Sequence, residues 1–301
     1  MTFGHCGIDW LHSLLDSHKQ ILIMPALSFF RCWKMLNCNN AKNSREMYDK
    51  WYRYINNYIG PESNNEQKKF LHSKKEMELF FFKFNELLKI EGIDKVTVFW
   101  IIHNSYAYAK KINLNHKNIV VSHEHLPWPF ENILYDFPKS NILMIMRDPR
   151  ASIAGIIYGR KKEFGYLPDY TFNTIIENWL HAQDMWKKYY NALGKRFKVV
   201  KNEDLHENLE KSMRELAYWL SVDYDDSLLY SSFSTGKPAP TDSKYLDNGK
   251  EPESLDNYYL PENIKRRWMS VLNNGNEILY IENFLNEIWL KLCKMTQNRK
   301  S

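Results

Sequence analysis

The segment ILMIMRDPRASIAGIIYGRKKE, from Ile142 to Glu163, sets the tightest limit on what this chain can fold into. A short apolar run, Ile142 to Met146, flanked by turn residues, reads as a buried strand. Asp148 is placed to cap a following helix, and Pro149 suits its first position, where no amide hydrogen is needed. Arg147 then stands at the carboxyl end of a sheet strand, beside helix amides that attract anions. With Arg150 it suggests an anion site. The competing reading is a surface arginine paired with Asp148 or a neighbouring carboxylate.

The rest of the chain repeats this alternation. GHCGIDWLHSLLDSHKQILIMP, near the start, reads as a glycine-containing loop, an amphipathic helix and a strand over Ile21 to Met24. Trp10, Leu11, Leu14 and Leu15 share one helical stripe, while Gly4 and Gly7 permit a tight turn and close approach to a ligand. No Gly-Lys-Ser/Thr phosphate loop is present, so a nucleotide kinase would lack its central residue. Further strands are expected at Ile119 to Ser122 and Phe197 to Lys201. Helices are expected at Asn43 to Tyr58, Glu66 to Ile90, Asp94 to Lys111, Thr171 to Asn191, Asn263 to Leu272 and Asn276 to Met295. Phe70, Met77, Phe80, Phe81 and Phe84 form a stripe expected in the core or over a substrate pocket. Such alternation predicts an α/β fold, a central mostly parallel sheet with helices on both faces. Ligands of such sheets lie at the carboxyl ends of the strands, where His123, His125 and Arg147 would gather.

In their order along the chain these segments resemble the sulfotransferases that use adenosine 3'-phosphate 5'-phosphosulfate (PAPS). His5-Cys6-Gly7-Ile8-Asp9-Trp10 occupies the place of that family's Arg/Lys-Ser-Gly-Thr-Thr-aromatic loop. Arg147-Asp148-Pro149-Arg150 looks like its 3'-phosphate site, NEDLHENLEKSMRELAYWLSVDYDDSLL from Asn202 like its Tyr-Glu-Asp-Leu helix, and FSTGKPAPTDS from Phe233 like its Gly-Lys loop. The resemblance spans Gly4 to Ser243 and implies a P-loop NTPase-like sulfotransferase fold. It also implies PAPS as co-substrate without a metal, and transfer of a sulfuryl group to a hydroxyl or amine of a small molecule or saccharide. Donor contacts would come from His5, Cys6, Gly7, Ile8, Asp9, Trp10, Arg147, Gly155, Gly236 and Lys237. His125 matches the family's Lys-x-His-Leu-Pro histidine, the general base, and His123 falls where its lysine would be. His5 and loop amides would steady the charge that develops on the bridging oxygen.

The loop departs from the family pattern. His5 replaces a basic residue, Ile8 and Asp9 replace two threonines, and Gly155 replaces a serine, with Ser152 nearby. Asp9 would set a negative charge beside an anionic ligand unless it turns away to cap the first helix. An inactive nucleotide- or partner-binding protein on the same fold is the alternative that these positions suggest. Met1-Thr2-Phe3 is short for a first strand, so either that strand is vestigial or the natural start lies upstream. His123 and His125 also have the spacing of a strand-borne metal pair, but no third ligand stands at the usual spacing.

Bulk properties limit the alternatives. The length and the 10 Trp, 19 Tyr and 16 Phe suit a globular chain read as one domain over 1–301, with a helical insertion near 43–113 and closing helices at 261–295. A net charge of +5 suits anionic ligands and falls short of a nucleic-acid footprint. Cys6, Cys32, Cys38 and Cys293 show no paired metal spacing and read as free thiols. No apolar run reaches membrane-span length and no signal peptide precedes His5, so a cytoplasmic protein is expected.

Overall fold

The computed structural model describes residues 6–24, 27–58, 60–61, 71, 73–124, 130–164, 169–231, 267–272 and 275–297. Helix α1 (Ile8–Asp16) leads to strand β1 (Ile21–Ile23), followed by α2 (Phe29–Met35), α3 (Ser44–Tyr58), α4 (Lys74–Glu91) and α5 (Lys95–Ala109). Strand β2 (Ile119–Val121), helix α6 (Phe130–Asp136) and strand β3 (Ile142–Met146) come next. Then follow α7 (Pro149–Phe164), α8 (Asp169–Leu193), β4 (Phe197–Lys201), α9 (Asn202–Glu207) and α10 (Leu209–Leu220). The chain closes on α11 (Gly275–Tyr280), a π-helical turn (Ile281–Leu285) and α12 (Asn286–Gln297).

All the described strands are parallel, as the alternation predicts: β1 pairs with β2 and β3 with β4. Side chains alternate across these strands into two cores. Leu22, Met144 and Phe197 face a core rich in aromatic rings, built with Phe29, Trp51, Phe80, Phe84 and Phe99 of α2 to α5. Ile21, Ile23, Ile145 and Val200 face a second, largely aliphatic core with Leu11 and Leu14 of α1, Ile153 of α7 and Leu216 of α10. Helices therefore cover both faces, which is why the strands carry apolar residues on consecutive positions. The Met77, Phe80, Phe81 and Phe84 stripe is buried core, whereas Phe70 lies outside the described residues. Trp179 is only 1% exposed and packs in the aliphatic core.

Local chemistry accounts for several boundaries. Asp94 caps α5 by accepting from the Thr97 amide, and Ser73 caps α4 through the Glu76 amide. Asp148 accepts from the Arg150 amide at 2.8 Å, so Pro149 takes the first position of α7. One helix expectation changes: within 263–272 the described part is a 3₁₀ turn, Arg267–Ser270, and 263–266 lie outside the described residues. No helix among the described residues is long and apolar enough to cross a membrane. The four cysteines form no disulfide, and burial pushes the Cys32 and Cys38 thiols up to about 12.

Candidate active site

The carboxyl ends of β2, β3 and β4 meet the amino ends of α1 and α7 through a closed chain of contacts. Cys6 is buried, its Sγ 3.4 Å from Ser152 Oγ on α7. Gly7 follows in the left-handed region at φ +87° and forms the start of α1. Its α-carbon lies so close to β4's exit that an added Cβ would stand 2.2 Å from Asn202 Nδ2. Only glycine meets both demands without strain.

Asp9 does not cap α1. Gly7 holds the cap position without a side-chain bond, and Asp9 sits in the first turn with Oδ1 3.3 Å from His123 Nδ1. His123 is 1% exposed, and the His12 ring meets it edge-on at 5.2 Å. Trp10 stacks on His206 of α9 at 4.2 Å. Next to His123, the buried Glu124 accepts the Phe30 amide at 2.9 Å, tying the end of β2 to the start of α2. Burial pushes its carboxyl up to about 8, so it is largely protonated at neutral pH.

Arg147 is buried at the end of β3. Glu203, two residues past the end of β4, accepts the Asp148 amide at 2.9 Å. Burial raises the Glu203 carboxyl, while that amide and the Arg147 charge pull it down. Arg150 is engaged by carboxylates, Asp148 at 2.7 Å and Glu282 at 3.6 Å, and lies 5.0 Å over the Trp268 ring. Gly155 is buried within α7, one turn beyond Ser152. His5, His125, Gly236 and Lys237 lie outside the described residues.

Cys6, Gly7, Ile8, Asp9, Trp10, His123 and Arg147 thus fall at the carboxyl ends of the strands of two separate parallel pairs, β1–β2 and β3–β4, rather than of one continuous sheet. Ser152, Asn202 and the bonding role of Glu203 were not foreseen. Asn202 and Glu203 directly follow a strand, and the rule that ligands lie at strand carboxyl ends marks such positions. Among the described residues no cluster of His, Cys, Asp and Glu suited to a metal ion occurs. A cavity of about 780 Å³ runs between β2 and β3. Phe30, Phe99, Trp100 and Phe137 line it, with His123 and Glu124 among its polar residues.

Parallel strands covered on both faces, with a glycine turn, a buried arginine and a histidine at their carboxyl ends, form an α/β scaffold with a candidate site at the strand ends. Two solved structures share the fold. The sulfotransferase domain of the Synechococcus PCC 7002 olefin synthase is 14% identical with a TM-score of 0.56, covering 94% of this chain and 92% of that one. The sulfotransferase domain from the curacin biosynthetic pathway is 13% identical with a TM-score of 0.55, covering 94% and 95%. No curated protein matches the chain in sequence. The profile of the sulfotransferase family matches residues 6–226, and the chain belongs to that family.

Proposed function

We propose that this protein moves a sulfuryl group from PAPS to a hydroxyl, or an amine, of a small-molecule or saccharide acceptor. The observation that supports this most is the ring of contacts joining the Cys6-Gly7 turn, Asn202, Glu203, Arg147 and Ser152 at the strand ends. Helix amides and a buried guanidinium gathered at one set of strand ends suit a nucleotide's phosphates, which supports the reading. In this reading Cys6 to Trp10, with His5, hold the 5'-phosphosulfate. Arg147 and Lys237, the latter on the Gly236 hinge, take the 3'-phosphate. His125 accepts the acceptor's proton as the new bond forms, and in-line placement of acceptor and leaving phosphate does most of the work. The cavity beside His123 supplies a route for the acceptor.

Calorimetry on the full chain tests the donor half. Adenosine 3',5'-bisphosphate is expected to bind without metal and more tightly than AMP. Arg147→Ala should weaken the bisphosphate by roughly ten- to a hundredfold, the scale of a charged hydrogen bond, and AMP far less. Equal losses for both ligands would remove the 3'-phosphate assignment.

A second reading, a nucleotide-binding protein without turnover, draws on Ile8 and Asp9 in place of the family's hydroxyls. Bisphosphate binding without sulfate transfer from labelled PAPS to a panel of alcohols, phenols and saccharides would favour it.

A further inference from the structure

The cavity between β2 and β3 has a shape and a wall that narrow the class of acceptor. It follows β2 from Asn118 to Glu124, roughly 20 Å at about 3.3 Å per residue, and β3 from Ile142 to Ile145. Both cores contribute to its sides, with Leu11 and Leu15 from the aliphatic one and Phe30, Phe99 and Ile133 from the aromatic one. One end lies beside His123 and Ile8, in the first turn of α1. The other is rimmed by Asn118, Lys139, Asn141 and Ser221, all of them exposed.

Between these ends the polar side-chain atoms are turned away or already engaged. The ring nitrogens of His12 and His123, the hydroxyls of Ser122 and Ser140 and Oε2 of Glu124 are buried and present almost no surface. Glu124 Oε1 accepts the Phe30 amide, Asp136 is paired with Lys95 at 2.7 Å, and Trp219 Nε1 donates to the Lys195 carbonyl at 2.8 Å. The side chains along the length of the cavity therefore offer a ligand carbon. A saccharide carries a hydroxyl on nearly every carbon, and each one set against such a wall gives up water without gaining a partner. An alkyl chain loses nothing of the kind and gains from every CH₂ it buries.

We propose that the acceptor is an elongated aliphatic alcohol, with its hydroxyl at the His123 end of the cavity and its chain running along β2 toward the rim at Asn118, Lys139 and Asn141. The inference rests on the sulfotransferase reading of the site and selects within it, setting aside saccharides and compact phenols. The donor fixes which end holds the hydroxyl. In that reading the phosphosulfate lies at the start of α1, and transfer needs the acceptor oxygen within reach of sulfur. At the far rim the exposed polar side chains let the rest of a longer molecule emerge into water.

Calorimetry on the full chain tests it with the straight alcohols from 1-butanol to 1-decanol, 2-naphthol and maltotriose, with and without adenosine 3',5'-bisphosphate. Affinity is expected to rise about fourfold with each CH₂ added, at one alcohol per protein, while maltotriose stays unbound. Two variants locate the binding. Val120 and Val121 are half-buried cavity residues packed against the aromatic and the aliphatic core respectively. Val120→Phe and Val121→Phe thus add bulk from opposite faces, and at least one should weaken 1-decanol about tenfold or more. A flat chain-length series would overturn the proposal, as would decanol binding that neither variant changes. Tighter binding of maltotriose or 2-naphthol than of 1-decanol would overturn it too. The bisphosphate is also titrated alone. If it does not bind, the sulfotransferase reading falls and the acceptor role with it. If it binds while the alcohols do not, only this acceptor class falls.

Discussion

Gly7→Ala is expected to destabilise the fold by about 2–4 kcal/mol and to abolish bisphosphate binding. One part of the cost is the backbone. At φ +87° an alanine Cβ crowds its own carbonyl, which costs about 1–2 kcal/mol. The other part is the neighbour: the new methyl would stand 2.2 Å from Asn202 Nδ2, and Asn202 is itself buried. Moving a packed side chain to admit one carbon costs about 1–3 kcal/mol. The turn then shifts away from the ends of β3 and β4, and the α1 amides lose their aim. Thermal unfolding reads the first effect and calorimetry the second. Asn202→Ala in the same background should recover only the steric share. Full recovery would show that the left-handed turn itself carries no cost.

Stability against pH is expected to show a plateau with a fall on each side, and two buried groups set its edges. Burial pushes the Glu124 carboxyl from 4.5 up to about 8, so the folded state keeps a proton that the unfolded state has released. Its contribution is complete below 4.5 and is lost as pH rises toward 8. Burial also lowers His103 from 6.5 to about 4, although its Nδ1 lies 2.7 Å from the Phe99 carbonyl oxygen. There the unfolded state holds the extra proton, so stability from this group is lost as pH falls from 6.5 toward 4. Between about 4.5 and 6.5 the two slopes cancel. From 6.5 to 8 Glu124 acts alone, and the expected loss is about 2 kcal/mol. Denaturant midpoints across this range provide the check. Glu124→Gln should flatten the alkaline fall and extend the acid fall up to about pH 6.5, since nothing then cancels the His103 slope, and an unaltered alkaline fall would mean that Glu124 is not its source.

Local features of this fold were open to reading, and long-range ones were not. The strand Ile142–Met146 and the Asp148-Pro149 helix start follow from neighbours in sequence, so apolar run length and cap chemistry suffice to find them. The same holds for Asp94 ahead of α5. The Cys6 to Ser152 contact spans 146 residues, and nothing at either position announces the other. The Asp148 partner of Arg150 is local and open to reading, whereas Glu282 and Trp268 reach it from the far end of the chain. The alternatives for Asp9 were ligand contact or helix cap, both local to its loop. Its partner instead comes from the end of β2, which only the folded sheet brings within reach.

Separate cores lie on the two faces of the strands, and both reach the cavity, the aliphatic one through Ile8, Leu11 and Leu15. The helices α1 and α7, whose amino ends would frame the donor in the proposed reading, are anchored in the aliphatic core. Phe30 and Phe99, which wall the cavity beside His123, belong to the aromatic one. If the proposed reading holds, exchange of rings on the aromatic face would reshape the acceptor's surroundings from a side that the α1 and α7 anchors do not occupy.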